Sequence, residues 1–136
     1  MEAFIIRLPN LSMGDYLKRL YLYARIDNID MSITIILVEM FIKKNNLIVK
    51  EMHFCLLATA LLLTIKLYSD RYMLNSYYAS VFGVSLKKLN QMELAFCDLM
   101  NWELFIGPEQ IIKKHEECKE KQFNYEMLLM ECFLCC

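Results

Sequence analysis

The segment at residues 52–70, MHFCLLATALLLTIKLYSD, constrains the fold more than any other part of the chain. Between His53 and Lys66 every residue is apolar or small except for two threonines. A helix that is apolar on nearly all sides belongs in the interior of a protein. A bilayer span needs about 20 apolar residues, whereas this run is about a dozen residues long and carries charge at both ends. The sequence therefore predicts a buried central helix and no membrane span.

The composition favours an all-α fold. The chain has 136 residues, enough for one domain with a sizeable core. Apolar residues make up 57% of it, whereas it contains only 3 glycines and 2 prolines. Few chain-breaking residues, together with many leucines, isoleucines, methionines and lysines, favour helices. The formal net charge of −1 gives no general attraction to nucleic acid, so we expect no nucleic-acid partner.

Two helices are predicted before the central one. The motif at residues 12–15, Ser-Met-Gly-Asp, is a capping-box pattern in which the serine caps a helix and the aspartate lies in its first turn. Asp27-Asn28 is expected to end that helix. A second helix is predicted from residue 33 to about residue 44, with Asp30 or Ser32 as its cap. Because this helix is almost entirely apolar, we expect it to be largely buried.

Two further helices are predicted after the central one. Asn75 is the expected cap of a short helix near residues 76–82, which Gly83 would end. Ser85 is the expected cap of a fifth helix over about residues 86–101, where apolar residues recur at helical spacing. The pattern thus predicts five helices in the first three quarters of the chain.

The remaining residues predict a helical extension. Gly107-Pro108 marks a boundary, and proline suits the first turn of a new helix. Glu109 and Lys113 lie four residues apart, which is the spacing of an ion pair along a helix. The segment at residues 124–136 is apolar again.

Several motifs in a fixed order carry a resemblance to a known family. In chain order they are Pro9-Asn10-Leu11-Ser12, Tyr16-Leu17-Lys18-Arg19-Leu20, Lys66-Leu67-Tyr68-Ser69-Asp70, Asn75-Ser76-Tyr77-Tyr78-Ala79, Gly83-Val84-Ser85, Leu89-Asn90 and Met92-Glu93. This arrangement resembles a cyclin box and is most similar to the phosphate-signalling (P-type) and plant U-type cyclins. The similarity covers about residues 9–106, which leaves residues 107–136 as a C-terminal helical extension.

The resemblance implies a fold and a function. The implied fold is a single five-helix cyclin box with the third helix at its centre, in agreement with the buried helix predicted from residues 52–70. The implied function is not enzymatic: a cyclin binds a cyclin-dependent protein kinase and activates it by positioning the regulatory helix of the kinase. The chain departs from the family at Glu39-Met40, where the family has Asp-Arg, and at Phe82-Gly83, where it has Gly-Gly.

The resemblance also implies which residues bind the kinase. The hallmark pair of the family is a lysine that ends the third helix and a glutamate in the fifth. The kinase-binding residues implied here are Lys66, Glu93, Leu63, Leu67, Trp102 and Leu104. Without the surrounding motif, Lys66 would be interpreted as a solvated lysine at a helix end, where the helix dipole favours it. Trp102 fits an interface and an ordinary core equally well, because aromatic residues are enriched in both.

The cysteines near the C-terminus admit other interpretations. His115-x-x-Cys118 followed by Cys132-x-x-Cys135 has the ligand types and spacings of a zinc site, although both pairs lie in predicted helix without turn residues. Cys135-Cys136 could be lipidated, but no polybasic segment lies just upstream. We favour a third interpretation, in which these cysteines are small hydrophobes on a helix docked against the box, and we expect no metal or other cofactor.

Two other functions are kept as alternatives. One is a nucleic-acid-binding module of the wider cyclin-fold group, such as the core repeats of general transcription factor B, which predicts a basic face and usually two repeats. The other is a stand-alone helical adaptor. Catalysis finds no support, because the chain has 2 histidines and no paired-acid or Gly-rich phosphate motif. The N-terminus, MEAFIIRLP, has no secretory-signal pattern, so we expect an intracellular protein, in the cytoplasm and/or the nucleus, with unpaired thiols.

Overall fold

All the regular elements are helical in a computed structural model that describes residues 2–4, 11–46 and 48–134. Two short 3-10 helices occupy Glu2–Phe4 and Lys50–Met52. The α-helices are α1 (Met13–Tyr23), α2 (Asn28–Lys44), α3 (His53–Tyr68), α4 (Asn75–Phe82), α5 (Leu86–Leu99), α6 (Pro108–Glu120) and α7 (Tyr125–Leu134). The prediction of an all-α fold is confirmed. Pro9 and Asn10 of the opening motif, and Cys135 and Cys136, lie outside the described residues.

Helix α3 forms the centre of the core, as predicted. Every residue from 55 to 65 is buried, and α2 and α5 pack against this helix. The stretch Lys50–Tyr68 is long and apolar enough to cross a membrane by length and composition, but 67% of its most apolar window is buried inside the protein. A core helix of a soluble protein meets the same criterion, and the packing around α3 gives it that position.

Two threonine hydroxyls meet in the contact between α2 and α3. The Thr34 and Thr64 hydroxyls lie 3.1 Å apart in the buried interface, and Thr34 also lies 2.8 Å from the carbonyl of Asp30, to which it can donate a hydrogen bond. Thr64 in turn donates to the carbonyl of Ala60, at 2.9 Å. Both hydroxyl groups are therefore satisfied where no water reaches them.

The predicted serine caps of α1 and α5 are confirmed. Ser12 Oγ accepts a hydrogen bond from the backbone N–H of Asp15 at 3.1 Å, and Ser85 Oγ accepts one from Lys88 at 3.0 Å. These bonds satisfy backbone donors that have no partner within the first helical turn.

The predicted start of α2 is wrong by five residues. Asp27 caps this helix, and it exchanges hydrogen bonds with Asp30: the Asp30 N–H donates to Asp27 Oδ1 at 2.9 Å, and the Asp27 N–H donates to Asp30 Oδ2 at 3.1 Å. An aspartate that ends one helix can begin the next, because the same side chain suits both a turn and a cap.

Two details of the later helices also differ from the prediction. Asn75 lies inside α4 rather than capping it, and its side chain donates to Asn90 Oδ1 on α5 at 2.8 Å. Lys113 forms no ion pair with Glu109 within the described part of the chain; the neighbouring Lys114 instead contacts Glu39 at 2.7 Å and Glu117 at 3.2 Å.

The C-terminal helices lie against the first five. Both α6 and α7 pack on α2, and the Tyr125 hydroxyl donates to the carbonyl of Asn28 at 3.1 Å. The ring of Phe133 stacks on His53 at the start of α3, with 3.8 Å between ring centroids. The extension therefore covers the side of α2 that α3 leaves open.

Candidate functional site

Lys66 and Glu93 form an ion pair between α3 and α5. Lys66 lies in the last turn of α3, where its charge is favoured by the helix dipole. Its Nζ lies 2.7 Å from both carboxylate oxygens of Glu93. The two side chains are 27% and 21% exposed, so the pair is largely sheltered but still reachable from solvent. The fold thus brings together the two residues that the resemblance singled out.

A groove of about 900 Å³ opens beside this pair, and we call it the Lys66 groove. All six residues predicted to bind a kinase line it: Leu63, Lys66, Leu67, Glu93, Trp102 and Leu104. Leu63 and Leu104 are buried and form its floor, whereas Leu67 is half exposed on its rim. The Lys66 groove therefore combines an apolar surface with one charged pair.

Trp102 lies on the rim of the Lys66 groove with 63% of its surface exposed, so its interpretation as an ordinary core residue is wrong. Helix α5 ends two residues before the predicted Asn101, and the backbone N–H of Trp102 donates to the carbonyl of Cys97 at 2.8 Å. The indole Nε1 donates to Asp98 Oδ1 at 3.1 Å, which holds the ring in place.

Five residues of the Lys66 groove were missed by the sequence reasoning: Tyr68, Asn90, Leu94, Cys97 and Phe105. Leu94 and Phe105 are 56% and 84% exposed and enlarge its apolar surface. Helical spacing around Glu93 could have found three of them, because residues 90, 93, 94 and 97 share one face of a helix. Phe105 follows the helix in a segment without regular secondary structure, where no periodic pattern points to it.

The groove contains one thiol, that of Cys97. Burial raises the pKa of this thiol, and the nearby carboxylates of Glu93 and Asp98 raise it further. A thiol in this environment stays protonated near neutral pH and acts as a small apolar group.

The residues of the zinc interpretation do not gather in the described structure. His115 Nδ1 lies 3.2 Å from the hydroxyl of Ser32, and Cys118 is buried beside α2. Cys132 Sγ lies 3.9 Å from a carboxylate oxygen of Glu39. Within residues 2–4, 11–46 and 48–134, no three His, Cys, Asp or Glu side chains are arranged to hold a metal ion.

Comparisons with known proteins find relatives among the cyclins. Cyclin-U3-1 of Arabidopsis thaliana is 29% identical over 111 residues, which is 81% of this chain and 49% of that protein. Cyclin-U1-1 of the same plant is 29% identical over 110 residues, 79% of this chain and 52% of that protein. PHO85 cyclin-7 of Saccharomyces cerevisiae is 29% identical over 120 residues, 78% of this chain and 42% of that protein.

The chain spans about half the length of the curated relatives that it matches. The predicted similarity to P-type and U-type cyclins is confirmed by these relatives. The family model described as "Cyclin" matches residues 3–104, which include all five helices from α1 to α5 and all six predicted binding residues, the last of which, Leu104, ends the match. The chain belongs to the cyclin family.

Proposed function

We propose that this chain is a regulatory subunit that binds a cyclin-dependent protein kinase through the Lys66 groove and activates it. The observation that carries the proposal is the Lys66–Glu93 ion pair at the edge of an exposed apolar surface. Membership of the cyclin family gives the class of partner. The relatives named PHO85 cyclin-7 and Cyclin-U3-1 place the chain near the P-type and U-type branch.

The ion pair leaves Lys66 with binding capacity. An ammonium group has three N–H donors, and Glu93 accepts from Lys66 with both of its oxygens. One donor remains for a backbone carbonyl of the kinase, while Glu93 keeps the ammonium group in a fixed position. The exposed side chains of Leu67, Leu94 and Trp102 would lose water on binding, which supplies the non-directional part of the affinity.

Binding activates the kinase only if the cyclin has a higher affinity for the active position of the regulatory helix than for the inactive one. A protein kinase is active when the glutamate of its regulatory helix reaches the ATP-binding lysine. A partner shifts this equilibrium only by as much as it binds one position of the helix more tightly than the other. Moving the helix from 1% to 99% in the active position takes about 5.5 kcal/mol of such differential binding.

The test is a binding and activity assay with purified cyclin-dependent kinases. Lys66→Glu reverses the charge on the groove and should abolish both binding and activation. Lys113→Glu is the matched control, because Lys113 is an exposed lysine on α6 with no ion-pair partner in the described residues. Unchanged kinase binding by the Lys66 variant would refute the proposal.

The same assay separates the alternatives. A helical adaptor would bind its partner without changing kinase activity, and a nucleic-acid-binding module would bind duplex DNA with an affinity that falls as salt rises. The net charge of −1 argues against the second. The proposed role also entails an intracellular location, in the cytoplasm and/or nucleus, and the buried thiols of Cys55, Cys97 and Cys118 fit a reducing compartment.

A further inference from the structure

Trp102 and Phe105 form a ridge between two grooves. The Lys66 groove lies on one side. On the other side is a groove of about 500 Å³, which we call the Lys43 groove; it is lined by the end of α2, including Lys43 and Lys44, and by Glu103. Trp102, Leu104 and Phe105 line both grooves. A partner that covers the ridge would therefore reach the second groove as well as the first.

The turn that carries Trp102 has a counterpart at the end of α6. At the end of α6 the N–H of Phe123 donates to the carbonyl of Cys118 at 2.8 Å, as the N–H of Trp102 does to Cys97 at the end of α5. Both turns are Schellman motifs. Phe123 packs against His115, with 5.5 Å between ring centroids, and is partly buried. Trp102 occupies the equivalent position with most of its surface exposed.

The backbone at Trp102 is strained. Asn101 has φ of 52° and Trp102 has φ of 60°, in the left-handed region that bulky residues rarely adopt. Such strain persists only where the surrounding structure enforces it, and here the hydrogen bonds of the turn do so. At Phe123, where φ is 53°, the same conformation places a ring in an intramolecular contact. At Trp102 it places the ring on an open ridge, which is the arrangement of a binding anchor.

The Lys43 groove carries an excess positive charge. Lys44 contacts Glu103 at 3.4 Å and the carbonyl of Met100 at 3.3 Å. Lys43 is exposed and has no ion-pair partner among the residues that the structure describes. Lys43 also lines the groove on its other side, where Glu39 and Glu117 contact Lys114, and neither Glu120 nor Glu131 there forms an ion pair with Lys43. The ammonium group of Lys43 is therefore available to pair with an acidic side chain of a partner.

We propose that the kinase covers the Trp102–Phe105 ridge from both sides and places an acidic side chain beside Lys43 in the second groove. This inference rests on the proposed function and extends its interface beyond the Lys66 groove. The two arguments for this occupant are the continuity of the two grooves through three shared residues and the unpaired cation in the second.

The test measures association and dissociation rates with the purified kinase that binds in the assay above. We expect Trp102→Ala to weaken binding about thirtyfold or more, as loss of a central aromatic anchor does. We expect Lys43→Glu to weaken binding about tenfold at low salt, mainly through a slower association rate, and to have a smaller effect at high salt. A thermal unfolding curve for each variant shows that it folds, and Lys113→Glu serves as the control.

Substitution of an acidic kinase residue by lysine should restore the affinity of the Lys43→Glu variant. An affinity that depends on Lys66 but is unchanged, within twofold, in both Lys43→Glu and Trp102→Ala would overturn this inference and leave the proposed function intact. A Trp102 effect without a Lys43 effect would also overturn it, because the kinase would then stop at the ridge. A kinase affinity that does not change in Lys66→Glu would overturn the proposed function itself.

Discussion

Removal of the Glu93 carboxylate should affect the free protein and the complex very differently. In the free protein the groove is open, so in Glu93→Ala the ammonium group of Lys66 can take water in place of the carboxylate. The free energy of unfolding should fall by about 1 kcal/mol or less, as for other solvent-accessible ion pairs. In the complex the kinase covers the groove, and an unpaired Lys66 would be buried. The binding free energy should fall by about 2–5 kcal/mol, or roughly 30- to 4000-fold in Kd.

Urea denaturation of the free chain and calorimetry with the kinase measure the two quantities separately. The double variant Lys66→Ala/Glu93→Ala should lose less affinity than the sum of the single losses, because it leaves no unpaired charge. Glu117→Ala is the matched control, since Glu117 is an ion-pair partner of Lys114 outside the groove. Equal losses of stability and of binding in Glu93→Ala would refute the reasoning, because the pair would then contribute only to the fold.

Three further predictions concern the fold. Phe96→Ala removes a ring that stacks on Phe41 with 4.7 Å between centroids, and should cost about 3–5 kcal/mol of stability in urea denaturation. Asp27→Ala removes the cap of α2 and should cost about 1 kcal/mol in the same assay. Burial lowers the pKa of His53 from 6.5, so the folded protein favours the neutral ring. The contribution of His53 to the free energy of unfolding should be complete above pH 6.5 and should fall as the pH drops below it. His53→Phe keeps a ring on Phe133 and should abolish this pH dependence in urea denaturation.

Part of the fold could be predicted from the sequence because some local residue patterns are compatible with only one structure. The run at residues 55–65 has no polar face, so only a central position suits it. Ser12 and Ser85 each have a free backbone N–H three residues ahead, and both serve as caps. The start of α2 was missed because Asp27 is equally suited to ending a helix and to beginning one.

The candidate site was predicted only in part because its shape depends on tertiary packing. Lys66 and Glu93 are far apart in sequence, and only the resemblance to a family paired them. The exposure of Trp102 depends on the left-handed turn at the end of α5, where no glycine signals it. The sequence of α4 does carry that signal: Gly83, with φ of 77°, ends the helix where predicted.

The threonine contact between α2 and α3 has a consequence for the alignment of the two grooves. The hydrophobic effect is non-directional, so a polar contact adds specificity to the register of two apolar helices, for which a shift of one turn is about 5.4 Å. Such a shift would separate the Thr34 and Thr64 hydroxyls, which would keep their bonds to the carbonyls of Asp30 and Ala60 on their own helices, and should cost about 1 kcal/mol or less. Since α2 carries Lys43 and α3 carries Lys66, the threonine contact contributes to the fixed spacing of the two cations.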